Sequence, residues 1–152
     1  MTAARDYQRS RVYAWEEAVV APQGQAPVPF AAAQGMVDAI WAESGLRWPP
    51  KVEPLARQSR RLLAHATRLE LRLPDNIPSW CLLHELAHAM AATHDGGSDG
   101  HGARFMGLYV GLLARYLRLD RARLLDSLGA AGIAVEPDAR PLFVDAQRDG
   151  AP

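Results

Sequence analysis

The sequence predicts an α+β domain, with a short run of strands set between helices. Three observations carry this. Arg68 to Leu73 (RLELRL) alternates polar and apolar residues strictly, the pattern of a strand with one buried face. Met36, Val37, Ile40 and Trp41 recur at helical spacing between Phe30 and Ser44. Trp80 to Thr93 holds two histidines and a single carboxylate, Glu85, and is otherwise uncharged on every side, as a buried helix is.

The remaining elements follow in order. Arg11 to Glu17 (RVYAWEE) is read as a first strand, on its β-branched and aromatic residues. Ala21 to Pro29 carries three prolines and a glycine and is read as a loop. The helix over Phe30–Ser44 stops at Gly45, and Trp48-Pro49-Pro50 breaks the chain again. Lys51 to Leu73 is expected to form two or three strands. Pro74 to Pro78 is expected to turn, with Asp75 or Asn76 capping a helix from about Pro78 to Thr93 that ends before Gly96-Gly97. A second helix is expected after Asp99, running through Phe105, Leu108, Leu112 and Leu113 to Leu117. Asp120 then caps a third, Arg121 to Leu128. Residues from about 137 to 152 are Pro- and charge-rich and read as an extension of one domain spanning 1–152. The four tryptophans (Trp15, Trp41, Trp48, Trp80) read as core.

Composition narrows the function classes. With 152 residues, 49% hydrophobic and 22% charged, the chain can bury one domain-sized core. Lys+Arg and Asp+Glu both number 17, so no global field draws in nucleic acid or an acidic membrane surface. No run approaches the ~18 apolar residues of a membrane span. The charged start (MTAARDYQRSR) lacks the apolar stretch of a secretory leader. Cys81 stands alone, which excludes an intramolecular disulfide and a cysteine-rich zinc ribbon. A cytoplasmic protein without membrane or nucleic-acid partners is the expectation; the oligomeric state is not written in the sequence. Arg57, Arg60, Arg61, Arg68 and Arg72 are read as solvated strand faces.

The chemistry is concentrated in His84-Glu85-Leu86-Ala87-His88, an HExxH pattern. On a helix, residues four apart share a face, so two imidazoles can reach one tetrahedral zinc ion. Glu85 is rotated off that face and can sit beside the metal as general base. Two histidines compete to be the third ligand. His94 has the metzincin spacing, but Ala91 replaces the glycine that lets those chains leave the helix. His101 follows the flexible Asp95–Gly100 segment, and Gly102 beside it permits close approach. Tyr109, with Arg104, is a candidate for stabilising an oxyanion if the second helix lines the cleft. Cys81, one turn before His84, could also reach the site. A calcium loop over Asp95–Asp99 is rejected, because Met106 stands where a glutamate is needed.

Together, His84-Glu-Leu-Ala-His88 and Gly100-His101-Gly102-Ala-Arg-Phe105 resemble the SprT-like branch of the zincins, whose pattern is HExxH, a variable loop, then HGxxF or HGxxW. The start, Arg5 to Trp15, is similar to a group of short metallohydrolases of actinobacterial type. The resemblance implies a minimal zincin-like domain: a small mixed or antiparallel sheet packed on the HExxH helix, and a second helix bearing a ligand. It implies Zn2+ on His84, His88 and His101, with Glu85 as base, acting on protein or peptide amide bonds. Two rivals share these residues: a metal-stabilised binding module without catalysis, and a zinc hydrolase of a non-peptide amide.

Overall fold

In the computed structural model, residues 6–56 and 64–141 are described. Helix α1 (Arg9–Trp15) opens the chain and runs on into a π-helical turn over Glu16–Val20 and a 3-10 turn over Ala21–Gln23. Strand β1 (Pro27–Pro29) and helix α2 (Phe30–Glu43) follow. Then come β2 (Lys51–Pro54), β3 (His65–Ala66), β4 (Glu70–Leu73) and β5 (Asn76–Pro78). Helices α3 (Ser79–Met90), α4 (Ala103–Tyr116) and α5 (Arg121–Ala130) complete the α+β architecture.

The strands form two small sheets. In one, β4 lies between β2, its parallel neighbour, and β3, its antiparallel one, with Val52 opposite Leu71 and Ala66 opposite Leu71. The alternation expected over Arg68–Leu73 holds over Glu70–Leu73, where Leu71 and Leu73 are buried and Arg72 is exposed, but it inverts at its start, where Leu69 is 61% exposed and Arg68 is buried. The other sheet is an antiparallel ribbon of β1 and β5, where Val28 faces Ile77. Three prolines sit in this ribbon, and two strands alone tolerate them because each has an unpaired edge. The turn expected over Pro74–Pro78 is therefore partly strand.

The first strand expected over Arg11–Glu17 is a helix instead. Val12, Trp15, Glu16 and Val20 are buried while Arg11, Tyr13, Ala14 and Glu17 are exposed, which is helical periodicity. Tertiary packing of that face outweighs the strand preference of its valine and aromatic residues. Among the tryptophans, Trp15 and Trp41 are core; Trp48 is 65% exposed, with φ of 57°. Arg68 is not solvated either. It is buried, its guanidinium 4.8 Å from the Trp41 ring. Arg72 is exposed beside Glu70, and Arg57, Arg60 and Arg61 lie outside the described residues.

Helix α3 is the centre of the molecule, buried along nearly all its length and packed against α4, β3, β4 and both strands of the ribbon. Neither Asp75 nor Asn76 caps it. It leaves β5 directly, and the groups at its start are satisfied by main chain: Ser79 N donates to Ala26 O (2.8 Å), Trp80 N to Gly24 O (3.3 Å) and Ser79 Oγ to Gly24 O (3.0 Å). At its other end α3 stops at Met90, short of Thr93. Asp120 caps α5 as expected, accepting from Arg123 N at 3.2 Å. After α5 the chain returns across α4, with Glu136 N bonded to Ala103 O at 3.0 Å. A Cβ on Gly107 would stand 1.8 Å from the Glu136 carbonyl oxygen, so only glycine allows that crossing. Among the described residues no helix is long and apolar enough to cross a membrane.

Candidate metal centre

Helix α3 places His84 and His88 one turn apart, and their Nε2 atoms are 3.1 Å from each other. The chain then turns through Gly96 and Gly100, both at positive φ, and delivers His101 just before α4. One ligand atom from each of His84, His88 and His101 lies within 4.8 Å of the others, so the cluster could hold a metal ion. No fourth His, Cys, Asp or Glu joins this group among the described residues. His94 does not take part; it is exposed, in the loop where Thr93 and Asp95 bond to one another. The helix ends before it, and the following loop carries it away from the cluster.

The donor set fits a divalent ion on local grounds. Two donors held ~2.05 Å from a tetrahedral ion stand about 3.3 Å apart, close to the His84–His88 separation. His101 Nε2 is buried without a hydrogen-bond partner. A buried lone pair of this kind is costly unless something satisfies it. Phe105, in the first turn of α4, stacks on His88 with centroids 4.2 Å apart and 23° between planes. The aromatic of the Gly100–Phe105 motif thus fixes one ring of the cluster.

Two carboxylates that the sequence reading did not single out contact the cluster. Glu16 Oε2 is 2.5 Å from His84 Nδ1, and Asp6 Oδ2 is 2.5 Å from His101 Nδ1. The available signal was the helical spacing of Val12, Trp15 and Val20, which puts Glu16 on a buried face; reading the segment as a strand hid it. Tyr109, expected at the cleft, is fully buried, and its hydroxyl donates to Glu16 Oε2 at 2.7 Å. That bond puts its hydroxyl on the Nδ1 side of His84, away from the converging Nε2 atoms. Arg104 donates to Arg140 O at 3.1 Å.

Burial sets most of the protonation behaviour. It pulls His88 well below the ordinary imidazole range, helped by the neighbouring His84 and His101. His101 is lowered by burial, against the opposing hydrogen bond that its ring makes to Asp6. For His84, burial also acts downward, but the hydrogen bond and charge of Glu16 outweigh it and the net shift is upward. Burial raises Glu85, with His84 opposing and Glu16 adding. Burial pushes the Cys81 thiol up to about 12, helped by Glu16 and Glu85.

Space for a second molecule exists on both sides. A cavity of about 470 Å³ is lined by Tyr13, Trp80, Cys81, His84 and Glu85. Another, of about 460 Å³, is lined by Arg68, Leu69, His88, Thr93 and His94. The arrangement offers three imidazoles, a carboxyl group beside them and open volume along both flanks. Compared with models of known families, with curated proteins and with solved structures, the chain matches none.

Proposed function

We propose that this protein is a zinc-dependent hydrolase of the SprT-like zincin kind, cleaving amide bonds in peptides or proteins. One observation carries the reading: three imidazoles converge, one with an orphaned Nε2, beside a carboxyl group that lines an open cavity. His84, His88 and His101 would hold the metal. Three imidazole donors suit zinc among the common divalent ions, and a three-residue set leaves a coordination position for solvent or substrate, as catalytic sites do. When bound, zinc supplies Lewis acidity and brings the pKa of its water down to about 7.

The chain's own residues do the rest. Glu85 is the general base: its carboxylate takes a proton from the attacking water and returns it to the leaving amine nitrogen. The cavities on either side of the ligands give an extended substrate room to enter and leave. The HExxH and HGxxF motifs support the SprT-like assignment. A reducing, cytoplasmic setting is supported by the single cysteine, held as a buried thiol.

The test uses zinc-loaded protein with fluorescein-labelled casein and a set of amide esters and acylated amines. Glu85→Gln is expected to keep stoichiometric zinc and to lower hydrolysis at least about 100-fold. His88→Ala is expected to lose the metal. Cleavage of the small amides but not casein would replace the peptidase with a different amide hydrolase. Zinc retained without any hydrolysis by the native chain would favour the binding module and end the enzymatic reading.

A further inference from the structure

The segment from Asp6 to Val20 contributes no imidazole to the cluster, yet it supplies both carboxylates that touch the ligand rings. Glu16 is 2% exposed and makes two contacts through one oxygen: Tyr109 Oη donates to Oε2 at 2.7 Å, and His84 Nδ1 lies 2.5 Å from the same atom. A carboxylate can only accept in such a pair, so His84 donates from Nδ1. Asp6 does the same from the other end. Its Oδ1 accepts from His101 N at 3.1 Å and its Oδ2 meets His101 Nδ1 at 2.5 Å. In a neutral imidazole with its proton on Nδ1, the Nε2 lone pair is bare. In their neutral forms the two rings tethered this way keep Nε2 bare, in a cluster whose ligand atoms lie within 4.8 Å of one another.

The rest of the segment is built to hold these two groups in place. Gln8 Nε2 donates to His101 O at 2.9 Å and to Ala134 O at 3.1 Å, while its Oε1 accepts from Ala134 N at 2.5 Å. Gly100 has φ of 63°, and a Cβ there would stand 2.9 Å from Asp6 Cγ, so the glycine makes room for the carboxylate. The π-helical turn begins at Glu16, and such wide turns are frequent at functional sites. His88 sits instead against Phe105.

We propose that Asp6 and Glu16 are the positioning residues of the metal centre: they hold His101 and His84 as Nδ1–H tautomers with Nε2 directed at the ion. The inference rests on the metal-site reading above but not on hydrolysis. Outer carboxylates of this type typically change metal affinity 10–100-fold when removed.

Two measurements test it. Zinc affinity is measured by competition with a chromophoric chelator for the native chain, Asp6→Asn and Glu16→Gln, with circular dichroism checking the fold. Each substitution is expected to weaken zinc about 10–100-fold with the fold intact, and Asp6→Glu to recover part of the loss at His101. Nitrogen NMR of the metal-free native chain is expected to place the His84 and His101 protons on Nδ1. In Glu16→Gln, whose amide can donate to Nδ1, His84 is expected to shift toward the Nε2–H form. Zinc affinities within about threefold of native for both folded variants, or native tautomers protonated on Nε2, overturn the proposal. If Glu16→Gln fails to fold, the native tautomers and Asp6→Asn decide. If the native chain binds no zinc, the metal reading fails, and the tautomers still decide whether the carboxylates act as stated.

Discussion

At the scale of single residues, burial governs what each polar group can do. Cys81 lines the same cavity as Glu85 and was a candidate to reach the site, but it lies outside the cluster that could hold a metal. Its thiol is held up to about 12, so the reactive thiolate is scarce at any ordinary pH. Native protein is expected to resist iodoacetamide at pH 8.5, where an ordinary cysteine is about half ionised. Mass spectrometry should find Cys81 alkylated only after denaturation, and rapid modification of folded protein would contradict this. Tyr109 gives a second case. Tyr109→Phe removes a donor from a buried carboxylate and is expected to cost about 1.5–3 kcal/mol in urea unfolding. An unchanged midpoint would mean that Glu16 does not need that bond.

Among the elements, legibility depended on whether the determining partner was near in sequence. Helix α3 with its two histidines, strand β4 and the cap at Asp120 all follow from local pattern. So did His101 as a candidate, because glycines on either side mark a close approach. The carboxylates did not, since Glu16 and His84 are separated by 68 positions and Asp6 and His101 by 95. Only the folded chain brings them together. Helix α1 was misread because Val12, Tyr13 and Trp15 favour strands locally, whereas the buried face repeats every three to four residues. The crossing of residues 136–139 over α4 is equally silent in the sequence, but it makes a firm prediction. Gly107→Ala places a methyl group against a backbone carbonyl that cannot give way, and should cost at least about 1–3 kcal/mol of stability by thermal or urea unfolding. Tolerance of alanine there would show that the crossing is loose.

Over the whole molecule, the histidine cluster ties stability to pH when no metal is bound. The folded pKa of His88 is well below its unfolded value of about 6.5, and that of His101 is below it too. As pH falls below about 6.5, the unfolded chain takes up those protons more readily, so this contribution is fully present above 6.5 and is lost on acidification. His84 has the opposite sign: its raised pKa gives stability that is present below 6.5 and fades as pH rises through the folded value. Of these groups only His88 is carried well away from its ordinary range, and it sets the expected sign. The melting temperature of metal-free protein is therefore expected to drop between pH 7.5 and 5.5, by scanning calorimetry; a rise would mean that the His84–Glu16 pair dominates.

Because α3 takes its starting bonds from the carbonyls of Gly24 and Ala26, its register is specified by peptide groups that every amino acid shares. Positions 25 and 26 are exposed and are free to drift across most side chains without disturbing the histidines. Gly24 is not free, since a Cβ would lie 2.6 Å from that of Trp80. Divergent copies of this fold could thus keep an identical histidine-bearing helix behind a linker whose letters share little but one glycine.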